Sequence, residues 1–151
     1  MQKSRITAIA LILAGALGPS AFVTRVGASS VAQVIPPPTM PLEGTFWQAV
    51  VVGNREVSLF AVPGPYLVFE GNGRFLASDG CNRLAGDFDV NEDAVTFARV
   101  ESTHSPCVGV HDLQRMFDRA LTDARRLVLV GNQLDLLDAG NRPLAVFRPA
   151  L

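Results

Sequence analysis

Short stretches of alternating apolar and polar residues dominate the chain beyond residue 42. This period-two alternation is typical of strands that bury one face in a sheet. It predicts nine strands, over residues 45–52, 56–61, 66–70, 74–78, 84–90, 94–98, 127–130, 133–138 and 143–148. Turn-forming residues separate the stretches, as in Gly71-Asn72-Gly73. Turns this short join antiparallel neighbours, so the pattern predicts an antiparallel sheet.

One segment follows a different period. After a predicted loop over residues 99–109, apolar residues recur three and four positions apart, which predicts one amphipathic helix over about residues 111–124. Its apolar stripe consists of Leu113, Met116, Phe117, Ala120, Leu121 and Ala124. The predicted fold class is therefore mostly β (α+β). We expect a small antiparallel β-barrel or meander with the one α-helix packed at its end.

The first residues of the chain do not join this pattern. A basic start precedes an uncharged apolar run over residues 6–17, which is shorter than the about 20 residues that span a membrane. Small residues follow it. This arrangement predicts a signal peptide over residues 1–32, cleaved after Ala32, with Ala28 as the second choice and an uncleaved anchor as the alternative. We therefore expect an exported protein, periplasmic or secreted, with no stable membrane span after cleavage.

Composition limits the kinds of partner that the chain beyond the predicted signal peptide can bind. Residues 33–41 form a proline-rich linker, and the domain is expected over residues 42–149. Three of the 13 basic residues and none of the 14 acidic residues precede Gln33, so the mature part carries a net charge of −4. Its remaining basic residues are dispersed arginines, whereas nucleic acids and anionic lipid surfaces reward clustered positive charge. We expect neither as a partner.

The two cysteines are the sharpest chemical feature. Cys81 and Cys107 lie in a predicted turn and loop, and a cysteine pair in an exported protein is usually oxidised. We predict a disulfide between them, with two free thiols as the alternative. A zinc site would combine both with His104 and His111, but their spacing matches no common zinc motif and the compartment favours oxidation. No metal ligand and no cofactor is therefore predicted.

Candidate catalytic groups crowd one region without the pattern of an active site. A hydrolase triad could draw on Ser102, Ser105, His104, His111 and Asp112, which are close in sequence. No Gly-x-Ser-x-Gly segment exists, and neighbours in one loop rarely form a triad. We expect exposed histidines, no catalytic residues, and a protein that is not an enzyme.

Paired carboxylates favour a structural interpretation as well. Alternation around Phe88 places Asp87 and Asp89 on the solvent side of a strand, and Glu92-Asp93 fits a turn. Acid–base chemistry and calcium binding remain the weaker alternatives.

Aromatic residues raise the question of an interior cavity. Seven of them could line a pocket for an apolar ligand: Trp47, Phe69, Phe75, Phe88, Phe97, Phe117 and Phe147. Period-two placement more often means a packed core, and small barrels are usually filled by their own side chains.

Several short motifs together resemble one family. The segment Leu42-Glu43-Gly44-Thr45-Phe46-Trp47 is similar to the opening L-x-G-T-x-W of the META domain, the family of the heat-shock protein HslJ. Tyr66-Leu67-Val68-Phe69, followed by a hairpin, resembles the next strand of that family. Residues 80–86 are similar to its G-C-N-x-x-x-G motif, and Thr103-His104-Ser105-Pro106-Cys107 matches its T-x-x-x-C. The resemblance covers about residues 42–149, including the helix and the final strand pair.

The resemblance carries its own expectations. The sequence departs from the family pattern at Ser105, where methionine is common, and at Asp112, where glutamate is common. The motif residues are expected to be structural: Gly44, Thr45, Trp47, Gly80, Cys81, Asn82, Gly86, Thr103 and Cys107. The resemblance implies a cracked or conical β-barrel with one helix, in a family associated with stress, drug tolerance, motility or virulence. It brings no shared enzymatic activity and no cofactor.

Function follows as two alternatives. The first is a non-catalytic envelope protein with a stress or interaction role, whose partner the sequence does not name. The second is a binding module that holds a small apolar ligand or lipid inside the barrel.

Overall fold

The computed structural model describes residues 39–60 and 64–150. They form nine strands and one helix: β1 (Phe46–Val52), β2 (Arg55–Glu56), β3 (Pro65–Glu70), β4 (Arg74–Asp79), β5 (Arg83–Asn91), β6 (Ala94–Ser102), α1 (His111–Asp123), β7 (Arg126–Val130), β8 (Gln133–Leu137) and β9 (Pro143–Pro149). The predicted signal peptide and most of the predicted linker lie outside the described residues. Within the described residues, no helix is long and apolar enough to cross a membrane.

All nine strands belong to one antiparallel sheet that bends into a ring. Each of strands β3 to β8 pairs with the next, and β1 pairs with both β3 and β9, which closes the sheet on itself. The ring is weakest between β6 and β7, which share the single pair Ala94–Arg126. The predicted class, an antiparallel β fold with one helix, is confirmed, and the sheet is ring-like rather than continuously bonded.

Helix α1 lies across one end of the ring. It contacts β1, β4, β8 and β9, which come from opposite sides of the ring. Its buried face carries Phe117, Ala120 and Leu121, because these positions recur at the helical period. Asp112 in the first turn is favourable to the helix dipole. The helix ends one residue before the predicted boundary.

Side chains fill the interior of the ring. Trp47, Phe69, Phe75 and Phe147 are fully buried, as is Phe117 from the helix. Edge-on ring contacts join them to their neighbours: the Phe75 and Phe97 centroids lie 5.1 Å apart, and those of Phe117 and Phe147 lie 6.3 Å apart. The aromatic residues therefore form a packed core.

Two strands differ from the sequence prediction. The predicted strand over residues 56–61 is wrong in extent, since β2 has only two residues and a turn follows at Leu59. Strand β6 continues to Ser102, where a loop was predicted. A register shift between Ala85 and Asp87 and the positive φ of Arg99, 48°, let β6 bend and resume pairing.

Candidate functional site

The turn between β4 and β5 is organised around a buried carboxylate. Asp79 is 1% exposed, and its Oδ1 accepts hydrogen bonds from the backbone N–H groups of Cys81, at 2.8 Å, and Asn82, at 2.6 Å. Its Oδ2 accepts one from Asn82 Nδ2 at 3.1 Å. Gly80 adopts a φ of 93°, which favours glycine at this position. The Gly-Cys-Asn segment is thus a closed turn.

Asn82 extends this turn to the loop after β6. Its Oδ1 accepts hydrogen bonds from the backbone N–H of Ser105, at 2.7 Å, and from Thr103 Oγ1, at 3.4 Å. Thr103 also forms two hydrogen bonds with the backbone of Arg83. Its Oγ1 accepts from the Arg83 N–H at 3.1 Å, and its N–H donates to the Arg83 carbonyl at 3.0 Å. The two motif segments therefore hold each other.

A disulfide completes the same junction. Cys81 and Cys107 are bonded, with their Cα atoms 6.2 Å apart, so the prediction of a disulfide agrees with the structure. The alternative zinc site, with His104 and His111, would lose both sulfur ligands to this bond. Among the described residues, no group of three or more His, Cys, Asp or Glu side chains is placed to hold a metal ion. The bond fixes the loop that leads into α1.

The opening motif closes the other end of the ring. The Trp47 indole Nε1 donates to the Leu42 carbonyl at 3.0 Å, and Thr45 Oγ1 donates to the Pro41 carbonyl at 2.6 Å. The N–H of Gly44, whose φ is 75°, donates to the Phe69 carbonyl at 2.9 Å. The end of the predicted linker is thereby bound to the sheet.

Gly86 is required by a close approach of two strands. A Cβ atom there would lie 2.7 Å from Phe75 Cε1 and 2.8 Å from the Ala98 carbonyl oxygen. Only glycine fits without a shift of the backbone. All nine motif residues thus take part in backbone turns, strand contacts or core packing.

The candidate catalytic residues do not assemble. Ser102 Oγ donates to the Thr103 carbonyl at 2.9 Å, and Asp112 forms an ion pair with Arg115. His104 and His111 are exposed and make no side-chain hydrogen bond to any described residue. The structure therefore brings no serine, histidine and acid into a triad among these residues.

Two of the paired carboxylates, Asp87 on β5 and Asp93 in the turn that follows it, form ion pairs. Hydrogen bonding from Arg99, followed by the charges of Arg99 and Arg74, holds the pKa of Asp87 below its ordinary value. Asp93 pairs with Arg126, and Asp89 is exposed. These positions agree with a solvated outer surface.

One carboxylate on the helix has the opposite shift. Burial, and then the charge of Asp79, raise the pKa of Asp118 above its ordinary value. The cause is local: Asp118 lines a shallow cleft of about 200 Å³ with Leu84 and Val100, against the side of the sheet.

Three surface features were not predicted from the sequence. The first, which we call the apolar cleft, has a volume of about 510 Å³ and is lined mainly by Val50, Val51, Val57, Leu59 and Pro149. It lies outside the ring, so none of the seven core aromatic residues lines it.

The second feature is an apolar row on the outer face of the sheet. Phe46 pairs with Val68, Val68 with Leu76, and Leu76 with Ala85, so the row crosses four strands. Phe46 and Leu76 are 44% and 43% exposed, although large apolar side chains are usually buried. The Tyr66 ring lies 4.5 Å from that of Phe46 and extends the row.

The third feature, the arginine cleft, lies between α1 and the turn that joins β1 to β2. Its volume is about 360 Å³. Its lining residues are Asn54, Arg55, Asp112, Arg115, Met116 and Arg119. Sequence reasoning missed it because Arg55 is far along the chain from the two helix arginines. The spacing of Arg115 and Arg119 on one helix face was the only available signal.

Comparison with known proteins agrees with this fold. A family model described as META domain matches residues 40–150. No curated protein matches the chain. A protein solved by NMR superposes with a TM-score of 0.60 at 20% identity, covering 72% of this chain and 92% of its own.

Two further solved structures are similar. An NMR structure of a protein from Burkholderia xenovorans has a TM-score of 0.57 at 17% identity, covering 78% of this chain and 94% of its own. A crystal structure of a DUF4847 family protein from Bacteroides vulgatus has a TM-score of 0.53 at 18% identity, covering 71% and 93%. Likeness at these identities concerns the fold alone.

Proposed function

The chain belongs to the META domain family, and we propose that it is an exported, non-catalytic protein that binds another protein of the cell envelope. Envelope stress is the physiological setting that the family resemblance suggests. The observation that carries the proposal is the apolar row, which stays exposed in a domain whose interior is otherwise filled.

Export is supported by two independent features. The N-terminal residues have the order of a signal peptide, and the Cys81–Cys107 bond is consistent with an oxidising compartment. Fractionation of cells that express the full chain tests this, together with thiol labelling of the denatured, non-reduced protein. We expect the protein outside the cytoplasm, shortened to a start near Gln33, with no label on either cysteine. A full-length cytoplasmic protein with labelled cysteines would contradict the proposal.

The non-catalytic character is supported by how the motif side chains are used. Asp79, Asn82 and Thr103 direct their polar atoms to backbone groups or to each other, and two of the motif residues form the disulfide. A general acid or base must lie within hydrogen-bond reach of its substrate, and side chains turned to the backbone in this way support a structural role instead.

The apolar row fits a protein surface. It runs across paired strands through apolar positions, with Arg83 and Glu101 beside its Leu76–Ala85 end. Interface cores are likewise depleted of charge and enriched in aromatic residues. Phe46 and Tyr66 supply such aromatic contacts at one end. Exposed apolar patches of this kind commonly mark sites of protein interaction.

A crosslinking experiment tests the row. The full chain with p-benzoylphenylalanine in place of Leu76 is expected to form one discrete protein adduct in cells after irradiation. Phe46→Ser should abolish the adduct, because it removes the neighbouring aromatic contact. The matched control Val130→Ser changes an apolar side chain that is 66% exposed on β7, outside the row, and should leave it unchanged. A lipid adduct, or an adduct that survives Phe46→Ser, would overturn the proposed protein partner.

A second candidate function is favoured by the apolar cleft. Its volume of about 510 Å³ falls within the range of small-molecule sites, about 300–1,000 Å³. The packed core argues against a ligand inside the ring, so an apolar ligand would bind at this outer cleft. Binding of a fluorescent fatty acid to the full chain tests it. Leu59→Asp should weaken binding, and unchanged binding would reject the cleft.

A further inference from the structure

The arginine cleft gathers positive charge in a domain that is acidic overall. Arg55 begins β2, directly after the β1–β2 turn, while Arg115 and Arg119 lie one helical turn apart on α1. A guanidinium group carries its charge at every relevant pH and presents a planar fork of N–H donors. Three such groups around one cleft create a local field that the net charge of the protein does not suggest.

The cleft is held in place by backbone contacts. Gly53 begins the turn with a φ of 61°, and its N–H donates to the Leu144 carbonyl at 2.7 Å. A Cβ atom on Gly53 would lie 2.9 Å from Met116 Sδ, so the turn is seated directly on the helix. Asn54 and Arg55 therefore lie opposite the helix arginines across the cleft. Preorganised donors bind more tightly because less conformational entropy is lost.

The charge in the cleft is only partly compensated within the domain. Asp112 forms an ion pair with Arg115, and it is the single acid that lines the cleft. Arg55 and Arg119 form no ion pair with any described residue. Two guanidinium groups are thus left with their donors directed to solvent beside a site of about 360 Å³.

We propose that the arginine cleft binds a small phosphorylated ligand through its phosphoryl oxygens. Arginine forks match tetrahedral phosphate in a two-point geometry, and the Asn54 side chain supplies a further donor or acceptor at the rim. The cleft is the size of a head group rather than of a membrane surface. Asp112 limits the affinity, because its carboxylate both neutralises Arg115 and repels an incoming anion.

Titration of the purified full chain with pyrophosphate tests this, followed by backbone amide NMR. Shifts should concentrate at Asn54, Arg55 and the Arg115–Arg119 turn of the helix. Arg119→Gln should weaken binding about tenfold, since it removes a charge-assisted hydrogen bond. Asp112→Asn should strengthen binding several-fold, a gain that a merely structural role would not produce. Outside the cleft, the amide spectra of both variants should match that of the unaltered protein, which shows that the fold is intact.

A matched control and a second ligand complete the test. Arg83→Gln removes an exposed arginine that neither lines the cleft nor forms an ion pair with the described residues, so it should leave pyrophosphate binding unchanged. Vesicles with phosphatidylglycerol distinguish the source of the phosphoryl group. Vesicle binding that depends on Arg119 indicates a lipid head group. Pyrophosphate binding without vesicle binding indicates a soluble ligand. Equal weakening by Arg83→Gln and Arg119→Gln, or no gain from Asp112→Asn, would overturn the site.

Discussion

Asp79 offers the sharpest test of how the motif holds the fold. Asp79→Ala removes the acceptor of three hydrogen bonds that measure between 2.6 and 3.1 Å, two from backbone N–H groups and one from Asn82 Nδ2. Each lost bond in a buried or half-buried site costs about 1 kcal/mol net. We therefore expect Asp79→Ala to lower the free energy of unfolding by about 3 kcal/mol, a large fraction of the stability of a small domain.

Asp79→Asn separates the two oxygen positions. An amide oxygen at the Oδ1 position keeps both backbone bonds, while the amide nitrogen at the Oδ2 position faces Asn82 Nδ2 and Gln114 Nε2, which are donors too. The loss should be about 1–2 kcal/mol. Adding Asn82→Asp restores a donor–acceptor pair and keeps the acceptor for Ser105, so the double variant should recover at least about 0.5 kcal/mol over the sum of the single losses.

Urea unfolding with the disulfide intact measures these differences. Trp47 is the single tryptophan and is fully buried, so its fluorescence reports unfolding of the ring. Asp89→Asn is the matched control, because Asp89 is an exposed strand carboxylate, and it should stay within about 0.5 kcal/mol of the unaltered protein. The reasoning is refuted if Asp79→Ala also stays within that range, or if Asp79→Asn costs as much as Asp79→Ala.

Three further predictions concern other parts of the fold. Reducing the disulfide, which links residues 26 apart, should lower the free energy of unfolding by about 3.5 kcal/mol in urea titrations with and without reductant, through the larger entropy of the unfolded chain. Because burial and the charge of Asp79 raise the folded pKa of Asp118, its ionised form costs free energy once the pH rises through that pKa. Asp118→Asn should therefore raise stability at pH 7 by a few tenths of a kcal/mol after solvent screening, and thermal melts should show the gain vanish as the pH falls below the unfolded pKa. Gly86→Ala should cost about 1–3 kcal/mol in the same urea assay, because the new methyl group meets Phe75 and the Ala98 carbonyl, and a neutral result would contradict the close approach.

The sequence predicted the regular elements well because their signal is local. Alternation located eight of the nine strands within a few residues, and the three- and four-residue period located α1. The end of β6 was missed because the register shift beside Asp87 interrupts alternation there, and the short β2 was overestimated. Local sequence patterns do not show where a β-bulge bends a strand and shifts its register.

The centre of the motif was missed for a different reason. An aspartate in a predicted turn is usually solvated, so nothing in the sequence separated Asp79 from its neighbours. Its burial follows from the packing of α1 over the β4–β5 turn, where Gln114 approaches its Oδ2 at 3.5 Å. The arginine cleft was missed likewise, since only the folded chain brings Arg55 to the helix.

Helix α1 connects the structural motif with the proposed ligand site. Gln114 and Asp118 face the motif, Phe117 and Leu121 face the core, and Arg115 faces the β1–β2 turn with the cleft. Together these contacts set the rotation of the helix about its axis, and that rotation decides where the guanidinium groups point. Loosening the motif by reduction or by a change at its buried carboxylate should therefore weaken pyrophosphate binding without touching a residue of the cleft. The proposed site thus depends on contacts elsewhere on the helix, because the core and motif contacts that hold α1 also set the positions of Arg115 and Arg119.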